Sequence, residues 1–129
     1  MIIKIKNIKH GFIFLFLSFL MTFSCSASSY AEQTVWTEVG NTNNEIQFID
    51  SNSIKYNFKG NLSVITKYSE INQEDHTIKN STSYLLAVDC DNRLFSKLPL
   101  DSEINQVKKW ENPANNKLMK KTIISSCSY

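Results

Sequence analysis

The sequence predicts an α+β domain, an antiparallel sheet of about six strands followed by one C-terminal helix. Three observations carry this. Period-two alternation of apolar and polar residues dominates from Thr34 to Leu98, the period lengthens to that of a helix after Pro113, and a cysteine closes each of the two key segments. Cys90 ends Ser81–Cys90 (STSYLLAVDC), the longest apolar run outside the N-terminal leader, and Cys127 stands third from the C-terminus. A bond between them would staple the tail to the end of the most buried strand.

Thr34–Val39 (TVWTEV) reads as the first strand, ended by Gly40 and the turn-prone run Asn41-Thr42-Asn43-Asn44. Glu45–Asp50 (EIQFID) is the second, with Ile46 and Phe48 on one face, and Asp50-Ser51-Asn52-Ser53 is a polar turn that Asp50 can cap with its own side chain. Ile54–Phe58 alternates as a third strand, with Ile54, Tyr56 and Phe58 on one side. Gly60-Asn61 can take positive φ, so Leu62 to about Ile71 should return antiparallel to it. Asn72–Asn80 (NQEDHTIKN) is polar enough to be an exposed loop. The central strand Ser81–Cys90 follows, then a tight turn at Asp91-Asn92 and a sixth strand over Arg93–Leu98, which Pro99 stops.

The tail changes period. Asn112 offers an N-cap and Pro113 suits a first helical turn, so the helix is predicted over Ala114 to about Ser126. Met119, Ile123 and Cys127 recur at helical spacing and place the cysteine on the apolar face. Trp110, in the connection Asp101–Glu111, is expected to be packed, and both Trp36 and Trp110 read as core rather than as binding anchors.

Residues 1–31 read as a cleaved signal peptide. Lys4, Lys6 and Lys9 form a basic start, and Phe12–Phe23 is an apolar core of about 12 residues where a bilayer span needs about 20. Ser29-Tyr30-Ala31 supplies the small residues of a cleavage site, so the mature domain is 32–129 with no transmembrane segment. The rival is lipid attachment at Cys25, against which Thr22-Phe23-Ser24 fits poorly. Discarding Cys25 leaves an even cysteine count, as suits an oxidising compartment. Cys90 and Cys127 are then either bonded or two buried thiols. A bond closing that loop would contribute about 4 kcal/mol by the chain-entropy estimate, which matters for a mature domain this short.

Processing also reverses the charge. The chain carries +2, and losing three of its 14 basic residues leaves 11 against 12 acidic, or −1. Nucleic acid is therefore not expected as a partner, since phosphate binding needs a strong basic excess. His76 is the mature chain's only histidine, and only Gly40 and Gly60 remain, so neither a histidine metal site nor a glycine-rich phosphate loop is expected, and no cofactor. Glu74-Asp75-His76 reads as solvated loop, Asp89, Asp91 and Asn92 as turn chemistry rather than a calcium site, and Asp101 and Glu103 as a solvated connection. Lys117, Lys120 and Lys121 share the helix face away from Met119 and Ile123, with Lys108 and Lys109 upstream. These five are the candidate contacts for a polyanion or a partner, though they suit a solvated helix end equally. Open strand edges are a second, generic docking option.

Several residues taken together resemble the surface-adhesin protein E family of small exported bacterial proteins. They are Trp36 and Val39-Gly40, Phe48-Ile49-Asp50 with Ser53-Ile54, Lys59-Gly60-Asn61 before Val64, Asp89-Cys90 with Arg93, Trp110, and the closing Cys127. The resemblance spans nearly all of 32–129. It implies a sheet with a C-terminal helix tied to it by the Cys90–Cys127 disulfide, export, and adhesion to host extracellular-matrix or serum proteins. The expected function is a non-enzymatic binding module in the periplasm or at the cell surface. The alternative is a periplasmic structural or accessory protein contacting other envelope proteins, and a homodimer is compatible with either.

Overall fold

The computed structural model describes residues 33–129; the leader, its cleavage site and Cys25 lie outside the described residues. Six strands, β1 (Trp36–Asn41), β2 (Glu45–Asp50), β3 (Lys55–Tyr56), β4 (Leu62–Ile71), β5 (Ile78–Asp89) and β6 (Leu94–Leu98), form one antiparallel sheet, followed by helix α1 (Lys117–Ser126). The sheet order is β1-β2-β4-β5-β6, with β3 also paired to β4. The α+β fold read from the sequence is the fold observed. The middle of the sheet, however, belongs to β4 rather than to the cysteine-ended strand, which lies one place toward the edge.

β4 is central because it has two partners on one side. Glu45–Ile49 of β2 lie opposite Glu70–Thr66, and Lys55 and Tyr56 of β3 lie opposite Ser63 and Leu62. Between them the chain leaves the ladder in a 3₁₀ turn over Ser51–Ser53, which would strand a backbone donor of β4. Ser53 fills the gap, its Oγ accepting the Ile65 N–H at 2.8 Å. The third strand is thus shorter than Ile54–Phe58. Asn57 ends it by turning its Oδ1 onto the N–H groups of Lys59 and Asn61, each at 2.9 Å, and Gly60 takes the φ of +81° the hairpin needs.

One face of the sheet is the core. Leu62 pairs with Val88 and Val64 with Leu86, and with Ile49 and Phe95 they meet Met119 and Ile123 of α1, all buried. Burying each of those two helix side chains contributes about 1.5–3 kcal/mol. The disulfide joins Cys90, just past β5, to Cys127 at the C-cap of α1, with Cα atoms 5.9 Å apart. Thr122 and Ser126 are fully buried on the same helix, and each hydroxyl donates to the carbonyl four residues earlier, so neither leaves an unpaired polar group. Gly40 of β1 lies under the helix start. A Cβ there would be 2.9 Å from Leu118 Cδ1, so its absence lets α1 sit close.

The helix begins later than Asn112-Pro113 suggests. Asn112 Oδ1 accepts from the Ala114 N–H, Ala114 takes a φ of +45°, and the pair makes a turn instead of a cap. Asn116 is the N-cap, accepting from Met119 N–H at 2.9 Å. Before it, the connection over 99–112 folds back along β6. Phe95 and Glu111 exchange both backbone hydrogen bonds, at 2.8 and 2.9 Å, and Trp110 is half-buried beside them.

Candidate binding surface

The second face of the sheet is only partly covered, and its open part holds the distinctive side chains. Strand alternation puts Ile65, Lys67 and Ser69 of β4 on this face, with Phe48 and Ile46 of β2 beside them. Ile46 and Phe48 do share a face, but it is the open one, and Ile49 turns to the core instead. The 99–112 connection brings Leu100 and Ile104 alongside Leu85 and Ile65, leaving a cleft of about 570 Å³ between this connection and the Asp50–Ser53 turn. Its floor is apolar, and Lys55 and Glu103 line it with opposite charges.

The turn that forms one wall is tightly determined. Asp50 is 6% exposed, and its Oδ1 accepts from the N–H groups of Val35 at 2.9 Å and Asn52 at 3.2 Å. Asn52 donates from its side chain to the Gln33 carbonyl, and Ser53 donates to the Asp50 carbonyl. The self-capping role read for Asp50 is therefore present. It extends further, because the same carboxylate pins the segment leading into β1.

Next to the cleft lies an aromatic and cationic patch. Trp36 pairs with Asp50 across β1–β2, and Phe48 pairs with Lys67 across β2–β4. The Lys67 ammonium stands 4.5 Å from the Trp36 ring centroid and 4.8 Å from that of Phe48, within cation–π range of both. Trp36 is 37% exposed, so it is not the core residue expected of it. Alternation alone conceals this patch, since it identifies a face but not what covers it. The available signal was apolar residues on both faces of β2, Ile46 and Phe48 against Ile49.

The five lysines do not gather into one site. All are exposed. Lys108 and Lys109 line a shallow cleft with Lys97 along β6, whereas Lys120 lines another with Arg93, Asn112 and Ile124. Lys121 lays its stem against Gly40 of β1, and Lys117 stands in the first turn of α1.

Several of the carboxylates singled out in the sequence serve turns. Asp89 binds the backbone and side-chain N–H groups of Asn92, which hold its carboxyl below the usual carboxylate range. Asp75 is lowered likewise by the Thr77 hydroxyl and backbone N–H, while His76 follows it at a φ of +57°. Glu103 and Gln106 form a capping box. Among the described residues no three His, Cys, Asp or Glu side chains are grouped to hold a metal ion. On the core-side face beyond α1, Tyr68 donates to Glu45 Oε1 at 2.7 Å, and that bond, with desolvation and the carboxylate's charge, pushes the phenol up to about 12. Burial raises the Tyr84 phenol too, against the Thr66 and Gln47 hydrogen bonds, and Lys97 lies over its ring. These arrangements position and neutralise groups; the open face presents apolar, aromatic and cationic side chains side by side. No helix of the described residues is long and apolar enough to cross a membrane.

Residues 37–129 match the surface adhesin-E family, a span that takes in β2 to β6, α1 and the disulfide. No match was found among curated proteins or among solved structures.

Proposed function

We propose that this chain, which belongs to the surface adhesin-E family, is an exported, non-enzymatic adhesion module that holds host extracellular-matrix or serum proteins on the open face of its sheet. The family match over 37–129 is the observation that carries the reading. The Trp36–Phe48–Lys67 patch and the neighbouring cleft supply a site of suitable chemistry, because aromatic side chains and cations beside an apolar depression are what dominate protein interfaces energetically. The scattered lysines act as a rim that tunes encounter rather than as the centre of contact. Residues 1–31 direct export and are removed in the course of it, leaving a mature domain of 32–129 at the cell surface.

The test is capture of the purified protein on a panel of immobilised matrix and serum proteins, comparing the natural chain with Trp36→Ala and Lys67→Glu. Capture by at least one panel member, weakened at least tenfold by Trp36→Ala, supports the site. Equal capture of all three proteins would move the contact elsewhere. No capture, together with protection of the protein from protease on intact cells, would favour a periplasmic accessory role instead.

A further inference from the structure

β5 has a partner along one side only for most of its length. It pairs with β4 from Ile78 to Val88, whereas β6 lies beside Leu85–Asp89 alone. On the β6 side the run Ile78–Tyr84 has no strand next to it among the described residues, and Ile78–Ser83 are all exposed. β6 does not continue into this gap. Pro99 follows Leu98, and its carbonyl accepts from the Ser102 N–H at 3.0 Å in a turn that ends the ladder.

The backbone groups that point into the gap can be counted off the ladder. Phe95 gives its N–H and carbonyl to Glu111 on the far side of β6, so its neighbours Leu94, Ser96 and Leu98 face β5, opposite Asp89, Ala87 and Leu85. The period of two then turns the N–H and carbonyl of Ser83 and Ser81 the same way, into the gap, while those of Tyr84 and Thr82 face β4. A row of donors and acceptors at this spacing is matched by an extended polypeptide. The side chains admit one, since Ser81, Thr82 and Ser83 are small, and the Ser81 hydroxyl is already held by that of Ser69 at 2.8 Å.

Charge around the gap selects among extended segments. Lys79 lies within it, Lys97 of β6 places its ammonium 5.0 Å from the Tyr84 ring centroid at the other end, and Lys67 stands opposite Ser83. Glu70, on the neighbouring strand, lies opposite Asn80 and accepts from its side-chain amide at 3.4 Å. This surplus of cations favours acidic side chains in the occupant, whereas a second copy would bring the same lysines to the seam. The gap is also continuous with the binding surface, because Leu85, next after Tyr84, lines the cleft and Lys67 belongs to the Trp36–Phe48 patch. We infer that the open edge of β5 over Ile78–Tyr84 takes an extended, acidic segment of the adhesion partner as a further strand, bonded to the backbone of Ser81 and Ser83. The inference rests on the adhesion reading for the partner and on the strand edge for the chemistry.

The probe is a peptide of about ten alternating glutamate and valine residues, run beside its lysine–valine counterpart and a fully N-methylated copy that cannot donate to a strand edge. Binding to the purified, disulfide-bonded protein is read by fluorescence anisotropy and by backbone amide resonances. The expected result is saturable binding of the glutamate peptide, with the Ser81 and Ser83 amides protected from hydrogen exchange, and binding on the order of tenfold weaker for the other two. The Lys79→Glu/Lys97→Glu variant should reverse the preference toward the lysine peptide. Ser83→Pro removes an N–H that β4 does not use, so the circular dichroism spectrum is kept while peptide binding and capture on the matrix-protein panel both fall. No binding of the glutamate peptide, or equal binding of its N-methylated copy, overturns the inference; if the natural protein and Ser83→Pro are then captured alike on the panel, the adhesion reading survives without it. Self-association that Ser83→Pro abolishes would assign the edge to a second copy and likewise overturn it. Peptide binding without panel capture of the natural protein upholds the strand site while the adhesion reading fails.

Discussion

Removing the disulfide tests whether the staple, and not only packing, holds α1 on the sheet. The pair is 37 residues apart in sequence, and closing a loop of that size in the unfolded chain is worth about 4 kcal/mol by the chain-entropy estimate. Whole domains of this size are stable by about 5–15 kcal/mol, so a large share of the total is at stake. The helix has its own hold, because Leu118, Met119 and Ile123 are buried side chains that do not depend on Cys127 for their packing area. The Cys90→Ser/Cys127→Ser double variant should therefore fold but unfold at lower urea. With a slope of about 1–1.5 kcal/mol per molar, the midpoint should fall by about 3 M. Chemical denaturation followed by far-ultraviolet circular dichroism, with oxidised, reduced and variant protein in parallel, reads this directly. Coincident midpoints for oxidised and reduced protein would refute the reasoning and leave the cystine without a stabilising role.

Three further outcomes follow from single contacts. Gly40→Ala should destabilise by about 1–3 kcal/mol in thermal or urea melts, since the new methyl presses on Leu118 Cδ1 in a well-packed place; Leu118→Ala in the same chain should relieve part of that strain. Ser53→Ala strips the Ile65 N–H of its acceptor at the point where β2 gives way to β3, for an expected loss of about 1–3 kcal/mol and faster hydrogen exchange at Ile65. Tyr68 should ionise near 12 in an ultraviolet pH titration, and Glu45→Gln should bring it down. Because its folded pKa is raised, its contribution to stability is complete below the unfolded value near 10 and fades as pH climbs from there through about 12.

Much of this architecture could be read from alternation and punctuation. Glu45–Asp50 and Leu62–Ile71 are strands with the bounds the pattern predicts, because polar turns or a hairpin glycine frame each of them. Met119, Ile123 and Cys127 do line one helical face. The misreadings share a cause: local pattern does not report what lies opposite. Ile54, Tyr56 and Phe58 alternate like a buried strand, but nothing packs on Tyr56 and Phe58, and the Asn57 side chain finds nearer backbone donors than a sheet partner offers. β5 begins at Ile78, ahead of Ser81, because exposed Lys79 and Asn80 can still pair with β4 while reading as loop. Asn112 and Asn116 are equivalent caps by composition, and only the φ of +45° at Ala114 decides between them. The lysines were legible as charges but not as positions. The Trp36–Lys67–Phe48 contact joins three strands, and its register cannot be counted off any one of them.

The pinning of Gln33 beside the Asp50–Ser53 turn has a mechanical consequence. If the domain were pulled from its N-terminus with the sheet face held, the force would enter along the axis of β1. The five residue pairs joining β1 to β2 then share the load in shear, as rungs strained together rather than a zipper opened one tooth at a time. Should the chain yield, the crosslink from Cys90 to Cys127 caps how far it can lengthen, since everything between those residues is excluded from the pulled contour.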